Sequence, residues 1–202
     1  MRTLVIDSAT EACSVALFDG TEPVASAYAV IGRGHAEQLV PMIASLPAKG
    51  RAERIAVSLG PGSFTGVRIG LAAARALGLA WSAQVLGYPT LALVGAMARE
   101  ANGGPVTVCM TGGHGQWFVQ DFAADGSPHS KPASLAPDAA SAAAGYSLVA
   151  GSQAEALVRL RGTGTPLPLL PDARCWPLLP PALLTSSIAA IYGRPPDARL
   201  PT

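Results

Sequence analysis

Charge is scarce in this chain. Only 13% of its 202 residues are Asp, Glu, Lys or Arg, and the formal net charge is +1. A protein that grips nucleic acid unaided gathers a strongly positive balance on one face, so this composition argues against direct binding and leaves only indirect contact with such a partner. Long hydrophobic runs are missing as well. The longest, Ile69 to Trp81, is cut by Arg75 and falls short of the roughly twenty residues a membrane helix needs. Met1-Arg2-Thr3 leads straight into an apolar strand pattern, without the apolar centre and cleavage site of a secretory leader, so a cytoplasmic protein without a membrane partner is expected. Cysteine is limited to Cys13, Cys109 and Cys175, odd in number and far apart, which points to reduced, mostly buried thiols. The three histidines, His35, His114 and His129, have no second ligand at a metal-binding spacing and are read as surface or capping residues. What the chain has in quantity is apolar surface. Half of its residues are hydrophobic, more than a small monomer readily hides, and an obligate partner would cover the excess. The length suits one large domain or two small ones.

The most specific local pattern is Ser58-Leu59-Gly60-Pro61-Gly62-Ser63-Phe64-Thr65-Gly66, where an apolar strand at 54–58 enters a glycine-rich turn that opens a helix over 65–81. Gly60 and Gly62 supply backbone angles closed to other residues, and Ser63 or Thr65 is suited to cap the first amides. Such a turn aims unpaired N–H groups at one spot, as an anion site requires, though a tight structural corner needs the same residues. It is not a P-loop, because the lysine due after the second glycine of that motif is absent and Arg68 comes too late.

At the amino terminus, strands at 3–7 and 13–19 flank a polar turn, Asp7-Ser8-Ala9-Thr10-Glu11. A further strand at 23–30, a helix at 35–46 containing Pro41, the strand at 54–58, the helix at 65–81, a strand at 84–87 and a helix capped by Thr90 complete the first half. Asn102-Gly103-Gly104-Pro105 marks a break between halves at 1–101 and 102–202. The second half opens with strand, turn and strand over 106–110, 111–115 and 116–120, echoing the first hairpin. Residues 123–145 and 162–181 are rich in Ala, Ser and Pro and give no ordered pattern.

Asp7-x-x-Thr10 resembles the strand–Asp–turn–strand element that sets a carboxylate and turn amides beside nucleotide phosphates in the actin-like ATPase and sugar-kinase fold. The segments IDSATEACSVALFDG, GHAEQLVPMI, SLGPGSFTGVRIGLAAARALGL and GYPTLALVGA, taken in order, resemble the TsaB (YeaZ) family over residues 1–97. A further match lies at Ile191-Tyr192-Gly193-Arg194-Pro195-Pro196-Asp197-Ala198-Arg199. The resemblance implies an α/β, actin-like (ribonuclease-H-like) fold of two lobes with mixed sheets flanked by helices. It also implies a non-catalytic subunit that supports TsaD in making threonylcarbamoyladenosine on transfer RNA, with the ATPase TsaE as further partner and pairing of two copies as an alternative. ATP or ADP would then bind, if anywhere, at the junction with a partner, held on this chain by Asp7, Ser8, Thr10, Gly62, Ser63 and Thr65.

The two helices of the first half carry the expected pairing surface. Gly66, Gly70, Ala74 and Gly78 recur every four residues and form a bare stripe open to close approach, either by the chain's own sheet or by another chain. Arg68 and Arg75 project together on another face, and His35, Leu39, Met42, Ile43 and Leu46 complete the surface on the first helix. The resemblance assigns these positions to contact with TsaD or a second copy.

Where relatives carry Asp-Ala-Arg-x-Gly-Glu in the second hairpin, this chain reads Thr111-Gly112-Gly113-His114-Gly115-Gln116. An active ATPase or kinase of this fold would need a carboxylate from elsewhere, such as Asp121 or Asp125, to meet a metal in the cleft. A glycoprotease-like peptidase, a third reading, has neither a metal cluster nor a Ser/His/Asp set to support it.

Overall fold

The computed structural model describes residues 1–193. In the first lobe, strands β1 (Arg2–Asp7), β2 (Ala12–Asp19) and β3 (Glu22–Val30) form an antiparallel meander. Helix α1 (His35–Ala44) leads to β4 (Arg54–Ser58), and α2 (Phe64–Trp81) leads to β5 (Gln84–Tyr88), so that β4 and β5 join parallel to β1. Helix α3 (Thr90–Asn102) crosses to the second lobe, where β6 (Val106–Thr111), β7 (Trp117–Phe122), β8 (Ala133–Leu135), α4 (Pro137–Ala143), β9 (Leu148–Ala150), α5 (Ala154–Arg161) and β10 (Thr165–Leu167) follow.

The two five-stranded sheets have orders β3-β2-β1-β4-β5 and β8-β7-β6-β9-β10, the same topology twice. The hairpin echo in the sequence therefore extends over a whole lobe. The repeats differ in weight. Strands β8, β9 and β10 have three residues each and α4 has seven, too short for hydrophobic periodicity to register, which is why 123–145 and 162–181 give no ordered pattern in the sequence.

Five layers result. Helices α1 and α2 cover the outer face of the first sheet through Leu4, Ile6, Leu39, Ile43, Val57 and Leu71. Helices α4 and α5 cover the outer face of the second through Val119, Ala140, Val149 and Leu157. Between the sheets lies a shared core of Phe18, Tyr88, Leu91, Val94, Val108, Met110 and Phe122, roofed by a 3-10 segment, Ala173–Leu178. Helix α3 is inserted there, with buried residues on every side of its first two turns. None of the helices described is long and apolar enough to cross a membrane.

Three local expectations are corrected. Pro89, not Thr90, stands at the N-cap of α3, and Thr90 is its first helical residue, with Oγ1 2.5 Å from Ser58 Oγ. Pro41, expected to bend α1 or mark a late start, does not delay it: α1 begins at His35, and the Glu37 carbonyl that loses its donor belongs to an exposed residue. Residues 185–191, grouped above with the second half, return to the first sheet: Thr185 exchanges two backbone hydrogen bonds with Gly87, and the Ile191 N–H donates to the Leu59 carbonyl.

The small-residue stripe of α2 faces its own sheet. A Cβ at Gly66 would collide with the Ser8 carbonyl, one at Gly70 would sit 2.6 Å from Ser8 Oγ, and one at Gly78 would sit 2.5 Å from Val85 Cγ2; Ala74 is fully buried. The Ser8 hydroxyl donates to the Gly66 carbonyl at 2.9 Å, so helix and strand meet almost backbone to backbone. Gly66, Gly70, Ala74 and Gly78 are thus used up within the chain, and the packing they permit offsets the roughly 1 kcal/mol that each helical glycine costs. Replacing Gly66 by Ala is expected to lower the unfolding free energy in urea titration by about 2 to 3 kcal/mol through overpacking, whereas Ala72→Leu, on the exposed side of α2, should change it by less than about 0.5 kcal/mol.

Candidate functional site

A cleft of about 840 Å³ opens where the two lobes meet. Its walls come from five segments: the β1–β2 turn (Ala9 to Glu11), Gly32 after β3, the glycine turn and first turn of α2 (Gly62 to Thr65, Val67, Arg68), the β6–β7 turn (Thr111 to His114) with Phe118, and the stretch Ile191 to Gly193. The glycine turn is fixed on both sides. The Ser63 N–H donates to the Ala9 carbonyl at 2.6 Å, the Gly62 Cα is pressed against that same carbonyl, and the Ser63 hydroxyl caps α2 by accepting from the Gly66 N–H. Helix α2 therefore starts against the β1–β2 turn, and its first residues form the floor of the cleft.

Of the six residues expected to meet phosphate, Thr10, Gly62, Ser63 and Thr65 reach the cleft; Asp7 and Ser8 do not. Ser8 is 2% exposed and spends its hydroxyl on Gly66. Asp7 is fully buried behind the turn. Its Oδ1 accepts from the Ala9 N–H at 3.0 Å, and its Oδ2 lies 3.1 Å from the Tyr88 hydroxyl, which is also 3.1 Å from the Ile6 carbonyl. A phenol has one proton. The Tyr88 hydroxyl can therefore serve only one of these two acceptors at a time, and when it donates to Asp7 Oδ2 it favours the ionised carboxylate. Burial pushes the Asp7 carboxyl up to about 6, against the opposing pull of the Ala9 N–H and the Tyr88 and Ser58 hydroxyls, while the negative charge of Asp172 adds to the rise. Burial, with help from Asp7, likewise pushes the neighbouring Cys13 thiol up to about 11.

The second lobe closes its half of the cleft without charge. Thr111 stands at the end of β6 as Asp7 does at the end of β1. Its N–H donates to Ser152 Oγ at 2.9 Å, and its Oγ1 accepts from Gln153 Nε2 at 2.9 Å. The alternative acids lie elsewhere. Asp121 is buried on β7, accepting from Thr107 Oγ1 at 2.6 Å and from the Gly145 N–H, and Asp125 accepts from Ser127 in the following turn; neither lines the cleft. Glu11 is the sole carboxylate among the lining residues. The arrangement has hydroxyls, amides and one guanidinium for an anion, but among the described residues no acidic pair spans the lobes to share a metal ion.

An aromatic and cationic cluster at the mouth was not foreseen. Arg68 Cζ lies 3.5 Å from the centroid of Phe64, and Arg68 Nε and Nη2 donate to the Tyr192 hydroxyl at 3.2 and 3.1 Å. In the sequence Tyr192 belongs to a terminal motif whose remainder, from Arg194, lies outside the described residues.

Beside the cleft, the expected pairing residues point inward. His35, Leu39, Ile43 and Leu46 are buried, with His35 Nε2 3.4 Å from the Ala12 carbonyl, and Met42 is half-buried. Arg68 and Arg75 are exposed but hold the terminal stretch, Arg75 Nη2 donating to the Ile188 carbonyl at 2.7 Å. The outward positions are different ones: Ala36, Val40 and Ala44 on α1, and Ala72, Ala76, Leu79 and Ala80 on α2. Val40 is 60% and Leu79 86% exposed. The only charged residues on these two helices are Glu37, Arg68 and Arg75. A solvent-facing helix surface normally carries several charges per two turns, and its apolar complexion in α2 is legible once all sides of the helix are considered.

Two mixed sheets of identical order enclosing an interlobe cleft define the actin-like, ribonuclease-H-like class. YeaZ from Pseudomonas aeruginosa superimposes with a TM-score of 0.71 at 26% identity, over 86% of this chain and 87% of that one. The ethanolamine utilization protein EutJ from Carboxydothermus hydrogenoformans shares the fold at a TM-score of 0.51 and 13% identity, over 88% of each chain. The chain belongs to the family described as TsaD, tRNA N6-adenosine threonylcarbamoyltransferase, whose model matches residues 24–171. Among curated relatives, it is similar to the tRNA threonylcarbamoyladenosine biosynthesis protein TsaB of Escherichia coli (strain K12), at 41% identity over 51% of this chain and 46% of that protein. The TsaB protein of Haemophilus influenzae is 38% identical over 50% of this chain and 43% of its own length. The chain spans about half the length of these curated relatives.

The Asp7 network carries a pH signature. A carboxyl whose pKa is higher in the folded than in the unfolded chain contributes stability that is present below its unfolded value of 3.8 and is lost as pH rises through about 6. Across that window the wild-type chain should lose about 3 kcal/mol relative to Asp7→Asn. The Asn amide can donate to Tyr88 at every pH, so the difference between the two denaturation curves, measured from pH 3.5 to 7, should open between these limits.

Proposed function

We propose that this chain is a non-catalytic partner subunit in the synthesis of N6-threonylcarbamoyladenosine on transfer RNA, docking on the catalytic subunit TsaD through the outer faces of α1 and α2. The observation that carries this reading is the apolar surface formed by Ala36, Val40, Ala72, Ala76 and Leu79 on adjacent packed helices, flanked on α2 by the exposed Arg75. Small side chains there permit close helix–helix approach, and Leu79 at 86% exposure has the form of an anchor awaiting a pocket. The naming of the curated relatives as TsaB supports the same assignment.

The cleft supports the non-catalytic half of the proposal. With Asp7 internal and Thr111 at the matching position in the second lobe, the chain lacks the pair of carboxylates that a phosphoryl-transfer enzyme of this class would need for its metal among the residues that line the cleft. ATP or ADP would then engage at the junction with the partner, using hydroxyls such as Ser63 and Thr65. Transfer RNA would be reached only through the complex, TsaE would join as a further subunit, and two copies of the chain would pair through the same helix faces when TsaD is absent. A cytoplasmic location follows from this role. The ATPase or kinase alternative gains nothing from Asp121 or Asp125, both of which are engaged away from the cleft.

Leu79→Glu combined with Ala76→Glu is expected to weaken association with TsaD at least 100-fold by isothermal titration and to abolish tRNA modification by the reconstituted pair, while far-UV circular dichroism and Tm of the isolated chain remain near wild type. Unchanged affinity would overturn the assignment of the docking face. Micromolar Mg-ATP binding with turnover by the isolated chain would overturn the non-catalytic reading.

A further inference from the structure

We infer that residues 185–193 form a displaceable strap that controls access to the interlobe cleft. From Thr185, which extends the first sheet beyond β5 through Gly87, the segment runs along α2 under Arg75, donates the Ile191 N–H to Leu59 at 2.7 Å, and lays Tyr192 against Phe64 with ring centroids 5.9 Å apart. It ends with Gly193 between Pro61 of the first lobe and Phe118 of the second. The strap thereby bridges the lobes and supplies one wall of the cleft.

What lies beneath it is core. Val67 is only 4% exposed yet lines the cleft, and Gly60 leaves no room between the Ile191 carbonyl and the Val67 side chain: a Cβ there would be 3.0 Å from the first and 3.2 Å from the second. The strap itself is held lightly. None of its residues from 185 to 193 is buried, and two of its anchors are exposed arginines bonded to neutral acceptors, the Ile188 carbonyl and the Tyr192 hydroxyl. Hydrogen bonds at such exposed positions contribute little net stability, and segments with few buried contacts open well below the global unfolding free energy. Among the described residues neither Arg68 nor Arg75 forms a salt bridge. An anionic group at the mouth would therefore compete for Arg68 with a stronger, charge-assisted bond, and taking Arg68 from Tyr192 loosens the strap. The strap lies against α2, the helix that also carries Ala76 and Leu79, but it is tested on the isolated chain, so its failure and that of the docking reading are distinguishable.

The test uses Val67→Cys in a Cys175→Ser background, with Cys13 and Cys109 as buried internal controls. Labelling of position 67 by a disulfide-exchange reagent should be slow and should rise at least tenfold when Arg75→Ala or Tyr192→Ala is added, with the rates at Cys13 and Cys109 unchanged. Equal rates with and without these substitutions, or equal acceleration at the control thiols, would overturn the strap. Native-state hydrogen exchange on the unsubstituted chain gives an independent reading. The Ile191 amide should exchange at least 100-fold faster than the core amides of β1 and β4; exchange at the core rate would show that 185–193 belongs to the cooperative core and would sink the proposal.

Discussion

The near contact of α2 with β1 sets the geometry of the first lobe. Because Gly66 and Gly70 carry no side chain, the helix settles on Ser8 closely enough for the hydroxyl to reach the Gly66 carbonyl, and its rotation about its own axis is then fixed. Every other assignment on α2 follows from that rotation. Leu71 and Ala74 go to the core, Phe64 and Arg68 go to the mouth of the cleft, and Ala72, Ala76 and Leu79 are left facing outward. The same contact puts the start of the helix against the Ala9 carbonyl, so the glycine turn serves at once as a packing corner and as the floor of a binding cleft.

The two lobes repeat one topology and have diverged at the strand ends that face each other. On the first side the Asp7 carboxyl is buried, where it accepts from the Ala9 N–H and the Tyr88 hydroxyl and where burial raises its pKa to about 6. On the second side a threonine ties the strand end to Ser152 and Gln153. Internal hydrogen bonding at both strand ends leaves the lining of the cleft without a carboxylate from either.

Much of this was legible in the chain. Long elements with clear periodicity, β1, β2, α2 and α3, lie within a residue or two of where alternation and helical spacing put them, and Ser63 caps α2 as its position after the glycine turn indicates. The direction of particular side chains was harder to read. Whether Asp7 meets solvent depends on Tyr88, eighty-one residues later in the sequence, and nothing local reveals that the two touch. A bare helix stripe looks the same whether the backbone that approaches it belongs to the same chain or another, and only the fold shows that β1 and β5 take that place. The three-residue strands of the second lobe hold too few alternations to be recognised, and their order comes from pairing with β6 and β7.

The central layer has a mechanical consequence. Helix α3, Tyr88 and Phe18 share one core with Met110, Phe118 and Phe122, so the halves have no separate interiors to come apart between. Enzymes that swallow a nucleotide by swinging two bodies around a hinge need an interface that slides; here the would-be hinge is filled with interlocked hydrocarbon. The molecule is better regarded as one wedge, in which a single hydrocarbon core joins the slight second half to the first, and in which the exposed stretch at 185–193 is the edge held most lightly.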